Sequence, residues 1–166
     1  AAAAEAFVAG REVTSVHPYD EPAVVAGQAT MGLELREQVP DVTTVLVTVG
    51  GGGLVSGVTL ACAGGPLVVP VEPEACPTLA AALADGGPVD VSVTGVAADS
   101  TGARRAGTIA YDVLSRSGAT VRTVSDEAIV AAQRVLWERF RVLAEPGGAV
   151  AFAGLLSGAC VPRPGE

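Results

Sequence analysis

The chain has 166 residues, a formal net charge of −8 and ten basic residues, all of them Arg. A chain of this length makes one domain, or one and a half, with a real core. An acidic balance without a basic cluster argues against nucleic acid and anionic membranes as partners, and the absence of Lys excludes any mechanism this chain would have to complete with its own lysine, such as a P-loop NTPase or a Schiff-base enzyme. The Lys deficit fits either a GC-rich coding bias or a truncated chain. Val-rich runs, intervening Ala and 21 Gly predict alternating strands and helices.

In chain order, residues 2–10 read as the end of a helix closed by Gly10, and Val13–Val16 as a short strand. The turn His17-Pro18-Tyr19-Asp20-Glu21-Pro22 places Pro22 at the first position of a helix running to about Gln38, with Val25, Leu33 and nearby small residues as its apolar face. Thr43–Val49 is a buried-type strand, followed at once by Gly50–Gly53, a helix over Leu54–Ala63 and a strand over Leu67–Val71. This is a βαβ unit, which predicts parallel strands. A helix follows from Pro77 to about Ala84, then a strand at Val91–Val93, a helix over Thr101–Ser117 and a strand at Val121–Val124. Ser125 is the predicted cap of a helix with Asp126 and Glu127 in its first turn and Ala128, Ile129, Ala132, Val135 and Leu136 on one face. Glu145-Pro146-Gly147-Gly148 opens a last helix to about Leu156, and the tail from Gly158 is Pro- and Gly-rich. A chain that begins within a helix and ends on a loop reads as cut at both sides.

No apolar run reaches the roughly 18 residues needed to span a bilayer, and the start carries no signal-type pattern. Cys62, Cys76 and Cys160 form no CxxC, so neither a disulfide framework nor a zinc site is expected, and a reducing cytoplasm is the natural compartment.

The strongest local feature is Val49-Gly50-Gly51-Gly52-Gly53-Leu54. Glycines between a strand and a helix let backbone N–H groups converge at a helix N-terminus, which makes an anion nest suited to phosphate. The alternative is a tight turn without a ligand. A P-loop reading aligns Gly52 and Gly57 but puts Val58 where Lys is needed. A dinucleotide fingerprint ends on Ser56, or on Val55 when shifted by one, although Glu72 ends the next strand where a ribose-binding acid belongs.

His17-Pro18-Tyr19-Asp20, Gly27-Gln28-Ala29-Thr30, Gly50 to Gly57, Val71-Glu72-Pro73-Glu74, Ala98-Asp99-Ser100 and Glu145-Pro146-Gly147-Gly148-Ala149 occur in this order. The ordered set resembles the serine/threonine dehydratase family of pyridoxal-phosphate enzymes, the fold-type-II group, over essentially the whole chain. The resemblance implies an α/β fold of the tryptophan-synthase-β type, a parallel sheet in three αβα layers, of which residues 1–166 are an incomplete catalytic domain. It implies that Gly50, Gly51, Gly52, Gly53 and Leu54 hold the phosphate of pyridoxal 5′-phosphate. Glu145 would lie near the pyridoxal ring; its alternative role is a first-turn acid satisfying the helix N-terminus. The Ala98-Asp99-Ser100 segment would also approach the cofactor.

Some members of that family bind a divalent cation through positions matching Glu72, the Cys76 carbonyl and Thr78. Thr78 replaces an acid here, and one carboxylate is poor provision for a hard cation, so no metal is expected. His17 is expected to be structural, and the cysteines packing residues rather than nucleophiles. The implied reaction is β-elimination from a β-hydroxy amino acid, L-threonine or L-serine, to a 2-oxo acid and ammonia. The family's cofactor-binding Lys lies in the N-terminal half, and its last strand beyond Glu166, so this chain alone is expected to be inactive. The family also implies a homodimer or homotetramer. A non-catalytic remnant or phosphate-binding module is the alternative, and a Rossmann NAD-dependent oxidoreductase a distant third.

Overall fold

Three of the β-branched runs become parallel strands, because each finds a neighbour to complete its ladder. A computed structural model describes residues 2–162. Helices α1 (Ala2–Val8) and α2 (Pro22–Gln38) precede strand β1 (Thr44–Thr48), α3 (Gly53–Ala61) and β2 (Leu67–Pro73). Helices α4 (Thr78–Asp85), α5 (Ala98–Thr101) and α6 (Thr108–Ser117) lead to β3 (Arg122–Val124), and α7 (Asp126–Phe140) and α8 (Pro146–Leu156) complete the order. The sheet is β1-β2-β3, all parallel, with Thr44 opposite Leu67 and Val71 opposite Arg122.

Alternation along the strands sorts the side chains into two cores. Val45 and Val47 of β1 and Val49 just after it pack with Val55 and Val58 of α3, Leu79 of α4 and Leu114 of α6. Leu46 of β1 and Val69 and Val71 of β2 pack on the other face with Ile129 and Ala132 of α7 and Ala149, Val150 and Ala153 of α8. The result is the expected three-layer αβα arrangement. The Ser125 cap is present, its Oγ accepting from the Ala128 N–H at 3.3 Å.

Three predicted elements differ. Val13–Val16 forms no strand; Val13 and Val16 are exposed and no neighbouring chain satisfies a ladder there. Val91–Val93 contributes only a bridge beside it, Asp90 to Arg105. The helix predicted over Thr101–Ser117 begins only at Thr108, Thr101 being the last residue of α5, because Gly107 gives its N–H to the Gly51 carbonyl and α6 is capped by Asp20, whose Oδ1 accepts from the Ile109 N–H at 2.9 Å. Of the tail predicted from Gly158, residues 163–166 lie outside the described residues.

Helix α2 does not bury Leu33, which is 52% exposed, but Gly32. The reason is a close crossing of α2 on α3. A Cβ at Gly57 would lie 2.6 Å from the Ala29 nitrogen and 2.6 Å from the Val25 carbonyl oxygen. Both neighbours are backbone and cannot turn aside. Gly57→Ala is therefore expected to destabilise the protein by about 2 kcal/mol through overpacking, read as a lower urea midpoint at unchanged slope.

Candidate functional site

The site begins where β1 leaves the sheet. The Val49 N–H makes the last ladder bond, to the Val71 carbonyl at 2.9 Å. The next three carbonyls are each tied to protein. Gly50 O accepts from Thr78 Oγ1 at 2.6 Å, Gly51 O from the Gly107 N–H at 2.9 Å, and Gly52 O from the Ser56 N–H at 3.0 Å and Ser56 Oγ at 2.6 Å. A trans peptide points its C=O and the following N–H in opposite directions, and the described residues contain no cis bond. Anchoring three carbonyls therefore aims the amides of Gly51, Gly52 and Gly53 away from the anchors. Among the described residues, no protein group accepts from the amides of residues 50 to 55. The loop has spent its acceptors and kept its donors, with the N-terminus of α3 behind them.

Side chains could not be added to this loop without moving its neighbours. Gly52 has φ +95°, and its Cβ would press on Ala110. A Cβ on Gly51 would run into the Tyr19 ring, and one on Gly50 would lie 2.9 Å from the Thr101 carbonyl oxygen. The donor set and the bare backbone fit a phosphate group, which needs N–H donors at close approach and no crowding side chain.

The loop opens on a cavity of about 570 Å³ that also meets Tyr19, Gln28, Ser100, Glu145 and Gly147. That is the size range of a small-ligand site. Sequence reasoning placed Gly50 to Leu54 and Glu145 together, and all six border this one cavity. Among the described residues, Glu145 is its only acid. It stands at the N-cap of α8 without a side-chain cap bond, because Ser100 Oγ accepts from the Gly147 N–H at 3.0 Å instead. The capping role considered for Glu145 thus belongs to Ser100. Of the Ala98-Asp99-Ser100 segment, Ser100 reaches the cavity and Asp99 does not.

Tyr19 and Gln28 border the cavity without having been singled out. The signal for Tyr19 was the turn it sits in. His17 Nδ1 accepts from the Asp20 N–H at 2.9 Å, closing that turn, and Tyr19 Oη donates to the Arg105 carbonyl at 3.1 Å. His17 itself does not border the cavity, which agrees with its structural reading.

Glu72 is fully buried and away from the cavity, so it cannot hold a ribose there, and the dinucleotide reading loses its acid. Its Oε1 accepts from the Leu79 N–H at 2.8 Å and lies 3.0 Å from Thr78 Oγ1, and its Oε2 accepts from the Ala80 N–H at 2.9 Å. Burial pushes its carboxyl up to about 7, against the opposing pull of those bonds. A cation does not fit this donor set. Both carboxylate oxygens are engaged at the start of α4, the Thr78 hydroxyl is turned to Gly50, and among the described residues no group of three His, Cys, Asp or Glu could hold a metal. Cys62, Cys76 and Cys160 are buried, and burial raises all three thiols, away from nucleophile chemistry. Among the described residues, no helix is long and apolar enough to cross a membrane.

The family model for "Pyridoxal-phosphate dependent enzyme" matches residues 1–163. The chain is 37% identical over 145 residues to the L-threonine ammonia-lyase of Geobacter sulfurreducens, covering 86% of this chain and 36% of that protein. It is 38% identical over 164 residues to the biosynthetic L-threonine dehydratase IlvA of Mycobacterium leprae, covering 94% and 38%. The chain thus spans little more than a third of these curated relatives. Among solved structures, it is similar to processed threonine deaminase isoform 2 of Solanum lycopersicum, with a TM-score of 0.83 at 27% identity, covering 96% of this chain and 46% of that one. It is also similar to maize serine racemase, with a TM-score of 0.81 at 34% identity, covering 87% and 46%.

Proposed function

The chain belongs to the family of pyridoxal-phosphate dependent enzymes, and from that premise we propose that residues 1–166 form the phosphate-holding part of an ammonia-lyase acting on L-threonine or L-serine. The observation that carries this reading is the loop with three anchored carbonyls and free amides. The names of the relatives, ammonia-lyase and dehydratase, support the reaction class.

In this reading the amides of Gly50, Gly51, Gly52, Gly53 and Leu54 bind the cofactor phosphate, with the α3 N-terminus adding its partial positive charge. When bound, pyridoxal 5′-phosphate supplies an electron sink for the substrate carbanion. Ser100 holds the start of α8 in place, and Glu145 presents the cavity's carboxylate to the cofactor. The sequence contains no Lys. The amine that carries the cofactor and moves the substrate's α-proton therefore comes from outside these residues. We extend the same reading to a cytoplasmic homodimer or homotetramer, following the family resemblance.

The test uses the full protein that carries this chain. Pyridoxal 5′-phosphate and pyridoxal, which lacks the phosphate, are titrated and followed by absorbance, with the phosphate resonance followed by phosphorus NMR. The expected result is pyridoxal binding at least about a hundredfold more weakly, the weight of several charge-assisted hydrogen bonds. Equal affinity sinks the phosphate assignment. Release of ammonia and a 2-oxo acid from L-threonine or L-serine tests the reaction, and tight cofactor binding without turnover of either would favour the non-catalytic alternative.

A further inference from the structure

We infer that Thr78 is a positioning residue for the phosphate loop, the end of a buried hydrogen-bonded brace that runs from β2 through Glu72 and the start of α4 to the Gly50 carbonyl and works without a cation. The inference rests on the reading of the loop as a phosphate site. Glu72 and Thr78 are both 0% exposed. Glu72 sits near the end of β2 and clamps the Leu79 and Ala80 amides, which fixes the first turn of α4 against the sheet. Thr78, the first residue of that helix, is thereby held where its hydroxyl meets Gly50 O at 2.6 Å. The bond spans 28 positions of sequence and ties the start of α4 to the loop.

The peptide between Gly50 and Gly51 is a rigid plane. Pulling its carbonyl toward Thr78 turns the Gly51 N–H the other way, and Gly51 borders the cavity. The neighbouring carbonyls are anchored by backbone and by Ser56, a residue of the loop's own helix. Among the described residues, Thr78 is the one side chain from another element that hydrogen-bonds a loop carbonyl. Without its bond, the Gly50–Gly51 peptide is free to rotate, because both flanking residues are glycines and neither resists the change in φ and ψ. A loop that must be ordered on binding holds its ligand less tightly than one already set. A Thr hydroxyl suits the task because it donates without charge, and the Glu72 carboxyl beside it fills the remaining contact at 3.0 Å.

The experiment compares wild type, Thr78→Val and Thr78→Ser in the full protein. Three quantities are read: the Kd for pyridoxal 5′-phosphate, the Kd for pyridoxal, and the Tm of the cofactor-free protein. Thr78→Val, nearly the same in shape, is expected to weaken pyridoxal 5′-phosphate by about tenfold while leaving pyridoxal unchanged, and Thr78→Ser to restore most of that loss. Wild-type affinity is expected to be the same in excess EDTA and with added Mg²⁺. A fall in Tm with no change in either Kd would make Thr78 merely structural and overturn the inference. A wild-type Kd that moves with Mg²⁺ or EDTA would overturn the cation-free brace. If wild type does not distinguish pyridoxal 5′-phosphate from pyridoxal, the phosphate reading itself falls, and the brace falls with it.

Discussion

Gly52→Ala is expected to cost the protein its tight binding of pyridoxal 5′-phosphate, with the Kd raised by at least about a hundredfold, and some of its stability as well. Two independent effects act at this position. Its φ of +95° is a backbone state that an L-residue adopts only at a cost of about 1–2 kcal/mol. The added methyl would also press on the Ala110 side chain, which belongs to α6 and is itself buried. Overpacking of that kind costs about 1–3 kcal/mol when the neighbours cannot give. The cheapest relief is for residue 52 to leave the left-handed region. That move swings the peptide planes on both sides of it, and with them the amides of Gly52 and Gly53. Binding is therefore lost even where the fold survives. Gly27→Ala is the matching control, since it lies in α2 and a Cβ there meets nothing within 4 Å. It is expected to leave the Kd unchanged and to raise stability by about 1 kcal/mol. Urea denaturation and cofactor titration of both variants check the pair. A Gly52→Ala protein that binds like wild type would mean that the loop does not contact the phosphate.

The loop was legible because its chemistry is local. A β-branched strand, consecutive glycines and an apolar helix follow one another without interruption, and their meaning does not depend on distant contacts. The parallel pairing of β1 with β2 was legible for a similar reason, since a strand-helix-strand run leaves few alternatives. What could not be read was whatever depends on a partner far away in sequence. The start of α6 is set by Asp20, 89 positions away, so a continuous helix from Thr101 was the natural expectation. The capping of α8 by Ser100 crosses 47 positions, which left the capping role open to Glu145 in the sequence. Val13–Val16 had strand-like composition, but composition does not supply a second strand. Glu72 looked like an acid at the end of a strand, open to a ligand. Only the packing of α4 over it shows that it is a buried cap. Leu33 is exposed, against its expected place, because a close helix crossing rewards the small residue Gly32 beside it.

The buried carboxyl of Glu72 is expected to make stability fall as pH rises from about 4.5 to about 7. Burial raises its carboxyl from the ordinary 4.5 to about 7, and the Leu79, Ala80 and Thr78 bonds offset only part of that. The folded protein then binds this proton more tightly than the unfolded chain does. The stabilisation is complete below pH 4.5, falls between 4.5 and 7, and is lost above 7. A shift of this size corresponds to about 3 kcal/mol. The hydrogen count in the site points the same way. Thr78 has one hydroxyl hydrogen, and its shorter contact is to Gly50 O, at 2.6 Å against 3.0 Å to Glu72 Oε1. If that hydrogen goes to Gly50, the longer contact needs a proton on Glu72. Glu72→Gln removes the titration and keeps the shape. It also leaves one of the two α4 amides facing an NH₂ group, which costs about 1–3 kcal/mol at every pH. The variant should therefore be the less stable protein at pH 5 and lose that disadvantage by pH 8.5. Urea unfolding of both proteins across this range isolates the Glu72 contribution, because the other carboxyls are common to the two and cancel in the difference. A difference that stays flat with pH would show that Glu72 is already ionised in the folded protein. The Thr78 hydrogen would then have to be shared between Glu72 and Gly50.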